Sequence, residues 1–235
     1  MGLYDKKIIL PNESLKFNYI DNLIDDFFEV DTLGNSRDTK NADKNLYNYL
    51  PTTYAFFEEL FTKYSFNSDD YFVDVGCGKG RSLMMASLFG CKHLCGVEIN
   101  TKVYETLINN FFSWKRHNFM ENVSVDLINK SFFDVEIREE WNKFFMFKPF
   151  NIDVFKKVML SIYETKRYCD KMVYIYLYHP DYELVEWIEK ENLFYLVEKD
   201  IQAVENSNGL IKRKIRSSVY SNNNNFKPEK TYWIY

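Results

Sequence analysis

The sequence predicts an α/β fold: a mostly parallel sheet, helices on both of its faces, and an antiparallel edge at the C-terminal end. Three observations carry this. From Tyr71 to Tyr178, short apolar runs alternate with segments of helical periodicity. A strand that leads through a helix to another strand makes a crossover, and crossovers build parallel sheets with both faces covered. After residue 192 the pattern changes to "LFYLVEKDIQ", "KRKIRSSVYS" and "KTYWIY", which read as strands joined by polar turns, as an antiparallel edge requires.

The elements follow in order. Residues 1–50 read as an N-terminal helical lid or accessory segment, and 51–235 as the main domain. In "YIDNLIDDFFEV" (19–30), Ile20, Leu23, Ile24, Phe27 and Phe28 recur at helical spacing and predict a buried stripe. In "LPTTYAFFEELFTKY", Thr52 or Thr53 suits an N-cap, with Phe56, Phe57, Leu60 and Phe61 facing the core. "YFVDV" is a first strand and "GRSLMMASLFG" a helix closed by Gly90. "HLCGVEI" is a second strand. The helix after it, "KVYETLINNFFSWKRHN", would bury Val103, Leu107, Ile108 and Phe111. "VSVDLI", "KFFMF" and "KMVYIYLY" are further strands, with a helix over "IDVFKKVMLSIYETKR" between the last two. Glu139, Glu140, Glu189 and Glu191 read as helix-surface charges.

Composition narrows the function classes. A chain of 235 residues that is 46% hydrophobic and 18% aromatic can bury a core and is not disordered. The formal net charge of -4 and pI near 5.5 give no basic footprint for nucleic acid. The runs "KRK" (212–214) and "SWKRHN" (113–118) are short enough to be solvated surface. Cys91, His93 and Cys95 invite a zinc reading. A strand would send alternate side chains to opposite faces, and no second ligand pair exists, so no metal site is expected. Cys77, Cys91, Cys95 and Cys169 then read as free thiols of a reducing compartment. There is no signal-peptide core or long apolar run, and Lys6 stands where myristoylation needs Ser or Thr. These features predict a soluble cytoplasmic protein without membrane attachment.

The segment "YFVDVGCGKGRS" (71–82) carries the functional signal. Glycines where a first strand turns into its helix let a ligand lie against the main chain. The spacing excludes a phosphate loop, which needs GxxxxGK[ST], and a dinucleotide fingerprint, whose third glycine is replaced by Arg81. What remains is acid-x-Gly-x-Gly-x-Gly, led by Asp74. Glu98 stands at the end of the second strand, where a carboxylate can accept from both hydroxyls of a ribose. The pair points to a nucleoside-containing cofactor; the bland alternative is a tight βα turn.

With "VDVGCGKGR" and "GVEIN" on the page, the chain resembles the class I methyltransferases that use S-adenosylmethionine, and within them the bacterial members bearing GCGKGR. The resemblance covers about residues 50–180, including "LPTTY" (50–54) and "FFMFKPF" (144–150). It implies a Rossmann-like, doubly wound sheet of order 3-2-1-4-5-7-6 with its seventh strand antiparallel. It also implies roles. Asp74 would orient the amino-acid end of the cofactor, and Gly76, Cys77, Gly78 and Gly80 would form the turn beneath it. Glu98 would hold the ribose and Ile99 would pack on the adenine. Ser131 occupies the place of a common adenine-binding acid, with Asp134 as the other candidate. Pro149 and Phe150 would border the methyl acceptor. Lys148 stands where amine-methylating relatives carry Asn or Asp, and His179 ends the fifth strand. These two are the candidate catalytic residues, His179 because a histidine titrates near working pH. Phe147, Phe150, Tyr176 and Tyr178 fit the core better than a substrate platform. The expected activity is methyl transfer to a hydroxyl or amine of a small molecule or sugar. The alternatives are a protein-lysine or protein-terminus methyltransferase, and a cofactor-binding partner subunit without turnover. The acceptor's identity and the oligomeric state stay open.

Overall fold

Five strands pair in parallel, and four of them are buried along most of their length. The five are β1 (Tyr71–Val75), β2 (His93–Val97), β3 (Ser124–Ile128), β4 (Lys143–Phe147) and β5 (Tyr174–Tyr178). In the computed structural model, residues 16–33, 49–117, 122–148, 152–204 and 212–223 are described. The strand period of two sorts the side chains cleanly. Phe72, Phe145, Tyr174, Tyr176 and Tyr178 pack on one face, with α2 (Tyr54–Lys63), α3 (Arg81–Leu88) and Leu107 of α4 (Thr101–Lys115). Val73, Val75, Phe144, Met146, Ile175 and Leu177 fill the other face, beneath α5 (Ile152–Lys166) and α6 (Tyr182–Glu191).

The sheet is completed by β6 (Tyr195–Lys199) and β9 (Ser217–Ser221) in the order β3-β2-β1-β4-β5-β9-β6. β9 runs antiparallel to both neighbours, so the order and the reversed strand match the expectation. Two findings go beyond it. A separate antiparallel ribbon, β7 (Gln202–Val204) with β8 (Lys212–Lys214), interrupts the path from β6 to β9. Helix α6 follows β5, and it accounts for Glu189 and Glu191 as helix-borne charges. "KTYWIY" lies outside the described residues.

Glu139 and Glu140 are not on a helix. They sit in a turn before β4, where Lys166 Nζ at the end of α5 donates to the Glu139 carbonyl at 2.6 Å. Cys91 Sγ likewise has a backbone partner, the His93 carbonyl at 3.3 Å.

Helix α2 is set by its cap: Thr53 Oγ1 accepts from Phe56 N at 3.4 Å. Its aromatic face then meets the sheet, with the Phe56 ring 4.4 Å from Tyr178 and the Phe57 ring 5.1 Å from Phe145. The predicted stripe on α4 is displaced. Val103, Leu107, Asn110 and Trp114 are buried, while Ile108 and Phe111 are only half-buried. The larger correction concerns α1 (Lys16–Phe28). Leu23 and Phe27 face outward, at 41% and 61% exposure, whereas Asp21, Asp25 and Phe28 are buried. A cation waits for those two acids inside. Among the described residues, no helix is long and apolar enough to cross a membrane.

Candidate active site

The glycine turn is folded onto the end of β2. Gly76 N and Cys77 N both donate to the Val97 carbonyl, at 2.9 and 3.0 Å, and Gly80 N closes the turn on the Cys77 carbonyl at 2.9 Å. Gly76 has φ of 89°, and a Cβ placed there would meet nothing within 4 Å. Its main chain therefore borders open space, as a ligand cradle requires. Gly80 shares the left-handed backbone, with φ of 90°, and a Cβ there would also lie 2.4 Å from Leu107 Cδ1.

Two carboxylates flank the turn. Asp74 is buried at the end of β1, where the Ser82 hydroxyl donates to it. Burial lifts its carboxyl to about 7, against the pull of the Ser82 hydrogen bond and with help from the charge of Glu98. Glu98 receives two backbone donors, Gly78 N at 3.0 Å and Asn100 N at 2.7 Å. Burial raises its pKa and those backbone bonds oppose the rise. Glu98 thus fixes the turn as well as facing the site. Cys77 is an inert wall, because burial pushes its thiol well above the ordinary range.

Around the neighbouring strand ends, Ile99 is 41% exposed and Phe133 50% exposed. Ser131 Oγ caps a 3-10 turn at Phe132–Asp134 by accepting from Phe133 N at 3.4 Å, and Asp134 points to solvent. Asn129 Nδ2 donates to the Glu98 carbonyl at 2.7 Å and so ties β3 to the end of β2. Phe133 was missed in the sequence. An exposed aromatic one residue beyond a buried one gives no periodic signal.

Lys79 and Arg81, the basic residues of the motif, are engaged by the N-terminal segment. Arg81 is 3% exposed. Its Nη1 donates to Asp21 at 2.5 Å and to the Thr52 carbonyl at 2.8 Å, and its Nε to Thr32 Oγ1 at 2.8 Å. The guanidinium also lies 4.2 Å from the ring centre of Tyr54. Asp25 accepts from Thr32 N at 2.7 Å and from the Tyr54 hydroxyl at 2.6 Å. Lys79 Nζ pairs with Asp31 at 2.8 Å. Asn110 accepts from Asp31 N at 2.7 Å and donates to the Lys79 carbonyl at 3.0 Å. The Tyr49 ring lies against Gly78, and its hydroxyl donates to the Thr32 carbonyl. Residues 21–33 are thereby bolted beside the glycine turn.

The acceptor candidates come together at the next strand tips. Lys148 and His179 are the residues immediately after β4 and β5, with φ of 37° and 49°. Lys148 N donates to the Tyr178 carbonyl at 3.1 Å, extending the pairing by one step. The His179 ring lies 4.6 Å from Tyr178 and 6.2 Å from Phe147. Tyr176 and Tyr178 are core residues, as expected. Pro149 and Phe150 lie outside the described residues. Since β4 lies beside β1, the glycine turn and the Lys148–His179 pair share the C-terminal edge of the sheet, where open α/β sheets bind ligands.

Solved structures share this architecture. A methyltransferase from Pyrococcus furiosus superposes with a TM-score of 0.53 at 17% identity, covering 87% of this chain and 95% of that one. A Pyrococcus horikoshii protein provisionally designated an RNA methyltransferase gives 0.52 at 20% identity, covering 77% and 90%. The fold is that of the class I methyltransferases. The family model described as histone methylation protein DOT1 matches residues 39–144, a span that contains the glycine turn and Glu98. No curated protein matches the chain in sequence.

Proposed function

We propose that the chain is an S-adenosylmethionine-dependent methyltransferase acting on a hydroxyl or amine of a small molecule or sugar. The observation that carries it is the open main chain at Gly76 beside a Glu98 carboxylate already locked by Gly78 N and Asn100 N. That carboxylate is immobile and faces the same edge as the cradle, which suits a ribose with two hydroxyls to donate. Asp74, raised by burial to about 7 and so only partly ionised near neutral pH, suits a cationic amino-acid end that would draw it into its charged form. Exposed Ile99 and Phe133 suit an apolar base, with Ser131 beside them. This is also the reading of the GCGKGR resemblance.

When bound, S-adenosylmethionine supplies a methyl group activated by a sulfonium. The protein's contribution is alignment and exclusion of water, since in-line displacement needs the acceptor oriented on the methyl. His179, and Lys148 beside it, stand where a proton leaving the acceptor could be taken. A protein-lysine acceptor is the second reading, favoured by the description of the family model over residues 39–144.

The test is calorimetry with S-adenosylhomocysteine, followed by labelled-methyl transfer into a cell extract resolved into metabolite, protein and RNA fractions. Label in the metabolite fraction supports the first reading, and label in protein supports the second. Cofactor binding without any labelled product, together with a co-purifying chain, identifies a binding subunit. Failure to bind S-adenosylhomocysteine overturns the assignment.

A further inference from the structure

Asp74, the acid ahead of the glycine turn, depends on one donor. Alternation along β1 turns it to the same face as Phe72, beneath the first turn of α3. Its register partner on β2 is Gly96, where a Cβ would lie 2.6 Å from Leu83 Cδ1 and 2.9 Å from Cys77 Sγ. The missing side chain lets α3 and the turn settle onto the sheet, which brings Ser82 within reach of Asp74. Among the described residues, the buried carboxylate accepts one hydrogen bond, from the buried Ser82 hydroxyl. A carboxylate has room for about four.

The groups around Asp74 make that donor decisive. Glu98 acts on it from the end of β2 and the Cys77 thiol from the turn, while the Cys95 thiol lies on the other face of β2. Among the described residues, none of the groups that shift Asp74 is a cation. Burial, and then the charge of Glu98, favour the neutral acid; the Ser82 hydroxyl favours the carboxylate. The open main chain of Gly76 lies two residues further on.

We propose that Ser82 is a positioning residue for the cofactor's amino-acid end: its hydroxyl fixes the Asp74 carboxylate, and docking of the cofactor's ammonium on Asp74 releases the Asp74 proton to solvent. Only the carboxyl O–H bond is broken, and the proton passes to buffer. Cofactor uptake is thereby tied to pH and weakens as Asp74 takes its proton back. The ligand in this proposal rests on the methyltransferase reading, while the hold of Ser82 on Asp74 is tested apart from it.

The experiment has two arms, both on the full chain. In the first, NMR of isotope-labelled aspartate carboxyls follows Asp74 across pH in the ligand-free wild type, Ser82→Ala and Ser82→Thr, with the signal assigned by its loss in Asp74→Asn. Losing a hydrogen bond to a charged acceptor should move the Asp74 midpoint up by about one pH unit in Ser82→Ala. Ser82→Thr, which keeps the hydroxyl, should return it toward the wild-type value. A midpoint unmoved in Ser82→Ala overturns the role of Ser82, whatever the cofactor does.

In the second arm, calorimetry measures S-adenosylhomocysteine affinity over the same pH range, in two buffers of different ionisation enthalpy. Wild-type affinity should rise about tenfold per pH unit below the midpoint and level off above it, with a proton released on binding. Ser82→Ala should weaken binding about tenfold below the wild-type midpoint and hardly at all well above its own. General damage to the fold would weaken binding at every pH instead. A flat wild-type profile, or a slope that survives in Asp74→Asn, overturns the proton linkage. S-adenosylhomocysteine bound at no pH, with the NMR change in Ser82→Ala intact, defeats the methyltransferase reading and the linkage with it, while the hold of Ser82 on Asp74 stands.

Discussion

Arg81 and Asp21 form a buried ion pair between the first turn of α3 and the helix α1, sixty residues apart in sequence. Arg81 thus replaces the third glycine of a dinucleotide fingerprint with an anchor for the segment beside the cofactor turn. Breaking a buried pair by removing one partner leaves the other charge unpaired, at about 3–5 kcal/mol. Arg81→Ala should therefore lower unfolding stability by about that amount in urea denaturation. An Arg81→Met, Asp21→Leu double variant should recover part of it, because it leaves only Asp25, which keeps its hydrogen bonds from Thr32 and Tyr54, without its cation. Equal losses in both variants would mean that the pair is not what holds α1.

Glu98→Ala removes an acceptor from Gly78 N and Asn100 N together, so the effect should reach the turn as well as the ligand. Hydrogen bonds to a charged acceptor are worth about 1.5–3 kcal/mol each. S-adenosylhomocysteine affinity should fall roughly tenfold or more by calorimetry. Thermal stability should fall with it, while Glu98→Gln keeps more of both. An unchanged dissociation constant would remove Glu98 from the cofactor site.

Asp74 predicts a pH dependence with a definite sign. Its carboxyl rises from an ordinary value of 3.8 to about 7 because burial penalises the charge. A raised acid contributes stability that is fully present below about pH 4 and lost as pH climbs to about 7. The ligand-free wild type should therefore lose stability over that window relative to Asp74→Asn, whose side chain does not ionise. Parallel pH profiles in urea denaturation would show that Asp74 does not titrate there.

Removal of a general base typically slows turnover by about 10²- to 10⁴-fold. With an identified acceptor, His179→Ala should lower kcat at least about a hundredfold and leave S-adenosylhomocysteine affinity nearly unchanged. Lys148→Ala should lower kcat in the same way if Lys148 takes the proton in place of His179. Unchanged rates in both variants would place deprotonation elsewhere.

What was legible in the sequence was what local chemistry writes there. β1 and β4 were bounded correctly from their apolar runs, and the glycine turn was located from its spacing alone. The inward acids of α1 were not legible. Hydrophobic periodicity placed Leu23 and Phe27 inside, but the gain from satisfying Arg81 decided which face turns inward. Asn110 displaced the predicted α4 stripe for the same reason, since its amide serves Asp31 and Lys79. Arg216 stood in a run that reads as a strand of the antiparallel edge, and only tertiary contact brings it to His179 and Asp181. Partners so distant in sequence leave no mark on spacing.

The position of β9 has a consequence for how the molecule is made. β9 lies between β5 and β6, although it is the last strand of the sheet to leave the ribosome. Until residues 217–221 emerge, β5 is an unsealed edge with apolar side chains on both faces, and β6 has no strand in this sheet to pair with. Synthesis must therefore carry a nascent chain with a sticky border, which a late-arriving strand closes by wedging into place. A chain interrupted before residue 217 would keep that border open and offer it to other copies of itself.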